Sequence, residues 1–132
     1  MASLAEYKTS YGTFSNAEEW VKVAYDFDVD GGATGDYNVL KAGVNLVVTD
    51  FYYETEAAVT SGGSLVVDLG IGAGGTEFLS DTAVGDLTLA KVNGMDTDAI
   101  VNVKADEIII LALDDATALT GKINLNFKVK KV

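Results

Sequence analysis

Residues 20–43 read WVKVAYDFDVDGGATGDYNVLKAG, and this stretch decides the predicted fold. Apolar side chains occupy every second position from Val21 to Val29, with lysine, alanine and aspartate between them. That period of two is typical of a strand with one buried face and one solvated face. GGATGD at 31–36 predicts a turn, because glycine adopts positive φ at little cost. Residues 37–41 then predict a second strand.

The same alternation continues along the rest of the chain. It predicts strands over 44–59, 64–69, 86–92, 99–104, 108–113 and 122–130, with turns at 60–63, 93–94 and 114–121. Residues 70–75 predict a glycine loop, and residues 77–84 predict one helical turn or a loop. The unbroken apolar run 108–113 predicts a central or doubly covered strand. About eight strands at this spacing favour an all-β fold, a single jelly-roll-like or Greek-key β-sandwich over 20–132.

Residues 1–19, MASLAEYKTSYGTFSNAEE, lack this period. Small polar residues separate three aromatic side chains, Tyr7, Tyr11 and Phe14. A frayed terminus is one interpretation of such a segment. Unstructured termini are poor in aromatic residues, however. We therefore predict an extended N-terminal arm over 1–19 whose aromatic side chains contact a neighbouring subunit.

The composition excludes several kinds of chemistry. The 132 residues include no histidine, cysteine, arginine or proline. The chain therefore lacks the usual general base near neutral pH, a thiolate nucleophile, soft metal ligands and the bidentate phosphate clamp. We expect no enzymatic activity and no cofactor. A formal net charge of −11 disfavours nucleic acid and anionic membranes as partners and favours a basic partner.

One acidic motif resembles a metal site. Asp26, Asp28 and Asp30 stand in DFDVDG at 26–31, which matches the start of a calcium loop. The twelfth position of such a loop is tyrosine here instead of glutamate, and no helices flank it. We interpret these acids as the solvated face of the first strand and predict no metal. A looser calcium site at the strand end, including Asp36, is the alternative.

Two other patterns resemble known site chemistry. Gly70, Gly72 and Gly75 fit the letters of a dinucleotide fingerprint, but the helix and βαβ unit that this fingerprint needs do not follow. Pairs of carboxylates close together in the sequence could perform glycoside hydrolysis. They occur in predicted turns, where aspartate is favoured for local hydrogen bonds. These pairs are Asp96/Asp98, Asp106/Glu107 and Asp114/Asp115.

Aromatic residues offer a surface that acts by contact. Tyr25 and Tyr53 alternate with polar residues in the way that core residues do. Tyr52 shares a strand face with Asp50 and Glu54, so it is the better candidate for an exposed contact. A platform on which sugars stack is a second interpretation of the aromatic set Trp20, Tyr25, Tyr37, Tyr52 and Tyr53.

The order of turns and strands resembles a known class of proteins. The motifs are VAYDFDVDGGATG at 23–35, AGV at 42–44, VVTD at 47–50, TSGGS at 60–64, VDLG at 67–70, V-x-V-x-A at 101–105 and LTGK at 119–122. This pattern resembles the small β-sandwich structural proteins encoded among the head genes of tailed bacteriophages, including capsid decoration or cement proteins. The resemblance covers 20–130 and includes no catalytic signature.

The resemblance implies a capsid-bound, jelly-roll-like domain that is often trimeric. The expected function is that of a decoration or cement protein, which binds the outer surface of the phage head at subunit junctions and stabilises the shell. Its partners would be the major capsid protein and further copies of itself in a homotrimer. It would be made in the host cytoplasm and located on the outside of the virion. The residues we expect at the contacts are Tyr7, Tyr11, Phe14, Trp20 and Tyr52.

Two other functions remain open from the sequence. One is a carbohydrate- or receptor-binding module of a phage tail or head fibre, which predicts exposed aromatic side chains along a groove. The other is a calcium-dependent adhesion domain, which predicts a melting temperature that responds to calcium or to a chelator.

Overall fold

A computed structural model describes the backbone of residues 9–11, 18–83, 92–94 and 100–132, and the side chains of 18–83 and 100–132. The described residues form ten strand segments. These are β1 (Thr9–Tyr11), β2 (Glu19–Asp26), β3 (Gly35–Ala42), β4 (Leu46–Ser61), β5 (Val66–Ile71), β6 (Leu79–Ala83), β7 (Val92–Gly94), β8 (Val101–Val103), β9 (Ile108–Asp114) and β10 (Ala118–Lys131).

The strands form two sheets. Sheet A has the order β1-β3-β9-β5-β6, and sheet B has the order β2-β10-β4-β7, with β8 also paired to β4. All of these pairs are antiparallel except β1 with β3. From β2 to β5 the chain alternates between the sheets, and the first and last strands of the sandwich, β2 and β10, are neighbours. This order is that of a jelly roll, so the predicted all-β sandwich is confirmed.

The space between the sheets is filled by the apolar positions of the alternating pattern. Val21, Val23 and Tyr25 of β2 are buried, and so are the alternate residues of β10. Three phenylalanines pack together at the centre, Phe51 from β4, Phe127 from β10 and Phe78 immediately before β6. Their ring centroids lie 5.0–5.4 Å apart, so sheets A and B are in direct aromatic contact.

The first strand ends earlier than its alternation predicts. β2 stops at Asp26, and a turn replaces the predicted continuation through Val29. The side chain of Asp30 is only 4% exposed, whereas Val29, predicted to point inward, is 56% exposed. The Asp30 carboxylate accepts a hydrogen bond from the Asp26 backbone N–H at 3.0 Å. The Asp26 carbonyl accepts one from the Asp30 N–H at 2.7 Å.

A second correction concerns the two faces of β4. The alternation predicts Val47 and Thr49 on the same face as Phe51, with Val48 on the other face. In the structure Val48 is fully buried together with Phe51. The pairing of β4 with β10 shifts register between Val48 and Asp50, so Thr49 is the extra residue and the faces exchange there.

Other element boundaries also differ from the sequence prediction. Residues 79–83 form strand β6, so the helical turn or loop predicted for 77–84 is wrong there. Asn93 and Gly94 lie in β7 rather than in a turn, and β10 begins within the predicted final turn, at Ala118. The strand predicted over 86–92 lies outside the described residues apart from Val92. The central position predicted for the run 108–113 is confirmed, since β9 lies in the middle of sheet A.

The phenylalanine cluster predicts a large effect on stability when one of its rings is removed. Phe127→Ala should lower the free energy of unfolding by about 3–5 kcal/mol, because the side chain is fully buried between two other rings. Urea unfolding followed by far-UV circular dichroism measures this change. The control Leu119→Ala, on the same strand but 54% exposed, should change it by less than about 0.5 kcal/mol. Equal effects of the two substitutions would contradict the described core.

Candidate contact surface

The outer face of sheet B is built by the polar positions of three neighbouring strands. Because Val21, Val23 and Tyr25 point inward, Trp20, Lys22 and Ala24 of β2 lie on the outer face. Register places a residue of β10 beside each of them: Lys128 beside Trp20, Asn126 beside Lys22 and Asn124 beside Ala24. On the other side of β10, Asp50, Tyr52 and Glu54 of β4 complete the three rows.

Two aromatic side chains meet across β10 on this face. Trp20 and Tyr52 come from β2 and β4, which do not pair with each other. Their ring centroids lie 5.2 Å apart with the planes at 70°, an edge-to-face contact. Trp20 nevertheless remains 49% exposed. A large apolar ring is therefore held in a fixed position while half of its surface faces solvent.

Charged and polar groups surround this aromatic pair. The Lys128 ammonium lies 6.0 Å from the Trp20 ring centroid and 3.9 Å from the Glu18 carboxylate. The Thr49 hydroxyl donates a hydrogen bond to the same carboxylate. We call Glu18, Trp20, Thr49, Tyr52 and Lys128 the Trp20 patch. Since Thr49 is the extra residue of β4, the register shift contributes directly to the patch.

Beside the patch, two asparagine side chains are buried although they lie on the outer face. Asn124 is 4% exposed and Asn126 is 6% exposed, because β10 has neighbours on both sides. The Asn124 Nδ2 donates to Glu56 Oε2 at 3.1 Å, and Lys122 lies 3.5 Å from the same oxygen. The hydrogen bond from Asn124 and then the charge of Lys122 lower the pKa of Glu56. Asn124 Oδ1 accepts no hydrogen bond from the described residues.

Of the five predicted contact residues, the structure places Trp20 and Tyr52 together. Tyr11 contributes backbone to β1, opposite Ala42 at the edge of sheet A, and its side chain is not described. Tyr7 and Phe14 lie outside the described residues. Glu18, Lys128 and the two buried asparagines were not predicted. The signal that identifies Lys128 and the two asparagines in the sequence is the row of polar residues at alternate positions of β10.

The acids of the calcium-like motif do not form a row on a strand. Asp26 Oδ1 accepts hydrogen bonds from the backbone N–H groups of Asp28 at 2.9 Å and Val29 at 3.3 Å. With Asp30 turned inward onto the Asp26 backbone, two of the three carboxylates serve the turn itself. In residues 18–83 and 100–132 no group of three acidic side chains is arranged to hold a metal ion.

The predicted sugar platform does not assemble from all of its members. Tyr25, Tyr37 and Tyr53 are buried, which confirms the core position predicted for Tyr25 and Tyr53. The Tyr25 hydroxyl donates to the Gly31 carbonyl at 2.7 Å, and burial, then the neighbouring Tyr37 and Asp30, raise the pKa of Tyr25. Only Trp20 and Tyr52 of this set lie on the outer face.

Acidic side chains are distributed unevenly along the length of the sandwich. At one end, strands β2, β4 and β9 end and strands β3, β5 and β10 begin. This end carries most of the described aspartates. They are Asp26, Asp28, Asp30, Asp36, Asp68, Asp114 and Asp115. The opposite end carries four lysines together with four acids, Lys41, Lys104, Lys130 and Lys131 with Glu18, Glu19, Asp106 and Glu107. Burial raises the pKa of Asp114, and the charge of Asp68, a hydrogen bond to it, and the charges of Asp115 and Asp36 raise it further.

Within the part of the chain that the structure describes, no helix has the length and apolar character needed to cross a bilayer.

No protein-family model and no curated protein matches the chain. Solved structures do match it. A chain of the "Cyanophage Pam1 capsid asymmetric unit" aligns with a TM-score of 0.67 at 12% identity, covering 92% of this chain and 90% of that one. The fold is that of phage capsid chains. A second match, in the "Acidic stable capsid structure of Helicobacter pylori bacteriophage KHP30", has a TM-score of 0.58 at 13% identity. It covers 89% of this chain and 90% of the other.

At these identities the likeness is one of fold. Both alignments cover about nine-tenths of each chain, so the likeness includes the sandwich as a whole and not a fragment of it.

The acidic end predicts a response of stability to pH. Because the pKa of Asp114 is raised in the folded chain, folding binds its proton more tightly, and the stabilisation from this proton is lost as the pH rises through the folded pKa. Asp114→Asn should therefore raise the melting temperature at pH 7 by about 1–4 °C, a small effect because the group is exposed. Thermal melts at pH 7 and pH 4 measure the change, which should be smaller at pH 4.

The matched control for this substitution is Asp106→Asn at the opposite end of the sandwich. It removes the same charge and retains a residue type that tolerates the positive φ of this position. An equal gain from both substitutions would show that net charge, and not the neighbours of Asp114, is responsible.

Proposed function

We propose that this chain is a structural protein of a tailed-phage virion, a decoration or cement protein that binds the outer surface of the head. The observation that carries the proposal is the whole-domain likeness to chains of two phage capsid structures. The neighbouring chains consist of little more than one sandwich of this kind, since nine-tenths of each is covered. A small domain of this size suits an accessory subunit that binds a shell formed by larger subunits.

The Trp20 patch is the contact surface that the geometry supports best. Hot spots in interfaces are enriched in tryptophan and tyrosine and are surrounded by polar groups that exclude water. Trp20 has this environment, with Tyr52 against its edge and the ion pair of Lys128 and Glu18 beside it. Because the ring is already held by these contacts, little side-chain entropy is lost when a partner covers it.

The mechanism of stabilisation would be mechanical. Each copy would bind across a junction between major capsid subunits and bury apolar area there, at about 25 cal/mol per Å² before ordering costs are subtracted. A homotrimer that contacts several subunits at once would gain affinity through multivalency. The lack of arginine and the net charge of −11 favour a position on the outside of the shell, away from packed DNA. Tyr7, Tyr11 and Phe14 would extend the contacts as an arm.

One observation favours a second candidate, a carbohydrate-binding module of a tail or head fibre. The ring of Trp20 is 49% exposed and is held against Tyr52, so it offers an accessible aromatic face. A sugar ring presents an apolar face that can stack on it. Binding of free glycans by the isolated protein, with a change in the fluorescence of the single tryptophan, would favour this candidate over the capsid.

Reconstitution tests the proposed function directly. Expanded capsids that lack this protein should bind it stoichiometrically and become more resistant to heat and salt. Trp20→Ala should weaken binding at least about 30-fold, the effect of removing an aromatic hot spot. Co-sedimentation of labelled protein with capsids measures the affinity.

The control for Trp20→Ala is Val29→Ala, another exposed apolar residue that lies beyond the opposite end of β2. It should bind as the wild type does. Failure of the wild-type protein to bind expanded capsids would overturn the capsid role. Unchanged binding by Trp20→Ala would move the contact to another surface. Light scattering of the free protein tests the trimer independently.

A further inference from the structure

Strand β2 forms one border of sheet B, and its pairing with β10 is unusually regular. Eight consecutive residues, from Glu19 to Asp26, pair with β10 without a register shift. No described strand pairs with the other edge of β2. An edge strand of this kind presents backbone N–H and C=O groups that can template another strand.

The hydrogen-bond phase of β2 identifies which groups face outward. The Phe27 N–H donates to the Gly121 carbonyl at 2.9 Å, and this pair continues the register of β2 with β10. Hydrogen-bonded positions alternate along an antiparallel ladder. Val21, Val23 and Tyr25 therefore bond to β10, and the N–H and C=O groups of the residues between them point away from it.

Asp26 shows this outward direction and also marks where the open edge ends. Its N–H is bonded to the Asp30 carboxylate and its C=O to the Asp30 and Val29 N–H groups. The buried Asp30 thus bonds to the outward backbone groups of Asp26 with its own side chain and backbone, and no further strand can pair with Asp26. Among the described residues no backbone group bonds to the outward groups of Trp20, Lys22 and Ala24, which a further strand could therefore use.

The other sheet borders are protected in ways that β2 is not. The edge of β3 pairs with β1 at Leu40–Ala42, and β3 shifts register between Asn38 and Leu40. β6 has five residues and contains Asp81 with a φ of 47°. β7 and β8 have three residues each. Short strands, bulges and covered edges are the usual protection against strand addition.

We propose that the edge of β2 receives an extended segment of the capsid partner as an additional antiparallel strand, an inference that rests on the proposed function. The segment would exchange backbone hydrogen bonds with Lys22 and Ala24, and its outer side chains would reach the exposed face of Trp20. Glu18, Glu19, Asp26 and Asp28 lie along this border, with Lys22 as the one described lysine of β2 itself. On β10, Lys128 is paired with Glu18 and Lys122 with Glu56. The border therefore remains acidic, and the segment carries basic residues.

A second copy of the chain fits this edge less well. If two copies paired their β2 strands antiparallel through all three outward residues, Trp20 of one copy would lie opposite Ala24 of the other. Lys22 would then lie opposite Lys22, and like charges directly opposite each other destabilise a sheet. Two chains that each carry a net charge of −11 also repel each other. A basic segment from the partner avoids both problems.

Proline at Ala24 tests the proposal, because it removes an outward N–H without removing a hydrogen bond to β10. Proline is tolerated on edge strands where its nitrogen faces solvent. Ala24→Pro should fold and should weaken binding to expanded capsids at least about tenfold, since the added strand loses a hydrogen bond and meets the proline ring. The matched control Ala24→Val keeps the N–H and measures the effect of side-chain bulk alone, so it should weaken binding less than Ala24→Pro does.

Hydrogen exchange of the wild-type protein gives a second readout that needs no variant. The amides of Lys22 and Ala24 should exchange rapidly in the free protein and at least about tenfold more slowly in the capsid complex. If circular dichroism shows that Ala24→Pro does not fold, Lys22→Pro against Lys22→Ala tests the same edge.

The outcomes separate this proposal from the proposed function. Binding by wild type and by Ala24→Val, with weak binding by Ala24→Pro and slowed exchange, supports strand addition. Equal binding by all three with unchanged exchange overturns strand addition and leaves the capsid role intact. If wild type and Ala24→Val both fail to bind, the proposed function itself is wrong.

Discussion

The pairing of β10 with two neighbours at once is the interaction on which the rest of the structure depends. β10 bonds to β2 along one side and to β4 along the other, and its inner face carries Phe127 into the core. A strand with both edges occupied has a crowded outer face, which is why Asn124 and Asn126 are buried on the side that faces solvent. β10 also sets the distance across which Trp20 and Tyr52 meet. The Trp20 patch is thus a consequence of strand order.

Much of the fold could be predicted from the sequence, because burial imposes a period of two wherever one face of a strand is covered. The inward residues of β2, the central place of β9 and the sandwich architecture follow from that period. The exceptions occur where a hydrogen bond or a register shift interrupts the period. Asp30 ends β2 by bonding to Asp26, and Thr49 exchanges the faces of β4. The sequence of β6, LSDTA, does not by itself favour a strand. The segment is a strand because its backbone pairs with the edge of β5.

The candidate surface was predictable to a smaller extent. Trp20 and Tyr52 follow from an aromatic residue placed among polar neighbours on a strand, a property of each strand by itself. Their contact, and the placement of Glu18 and Lys128 around it, depend on which strands are neighbours, and alternation carries no information about that order. The open edge of β2 has the same origin: which backbone groups face outward depends on the hydrogen-bond phase with β10, and the phase is a property of the pair.

Most of the described aspartates cluster at one end of the sandwich, whereas acids and lysines are mixed at the other end, so the described charges are distributed unevenly along its length. In the field of a charged surface, an uneven charge distribution orients a molecule during diffusion. It would narrow the orientations sampled in an encounter with a charged partner before any side chain touches that partner. Screening shortens the range of that alignment to about 8 Å at physiological ionic strength, so orientation would be selected only when the two surfaces are nearly in contact.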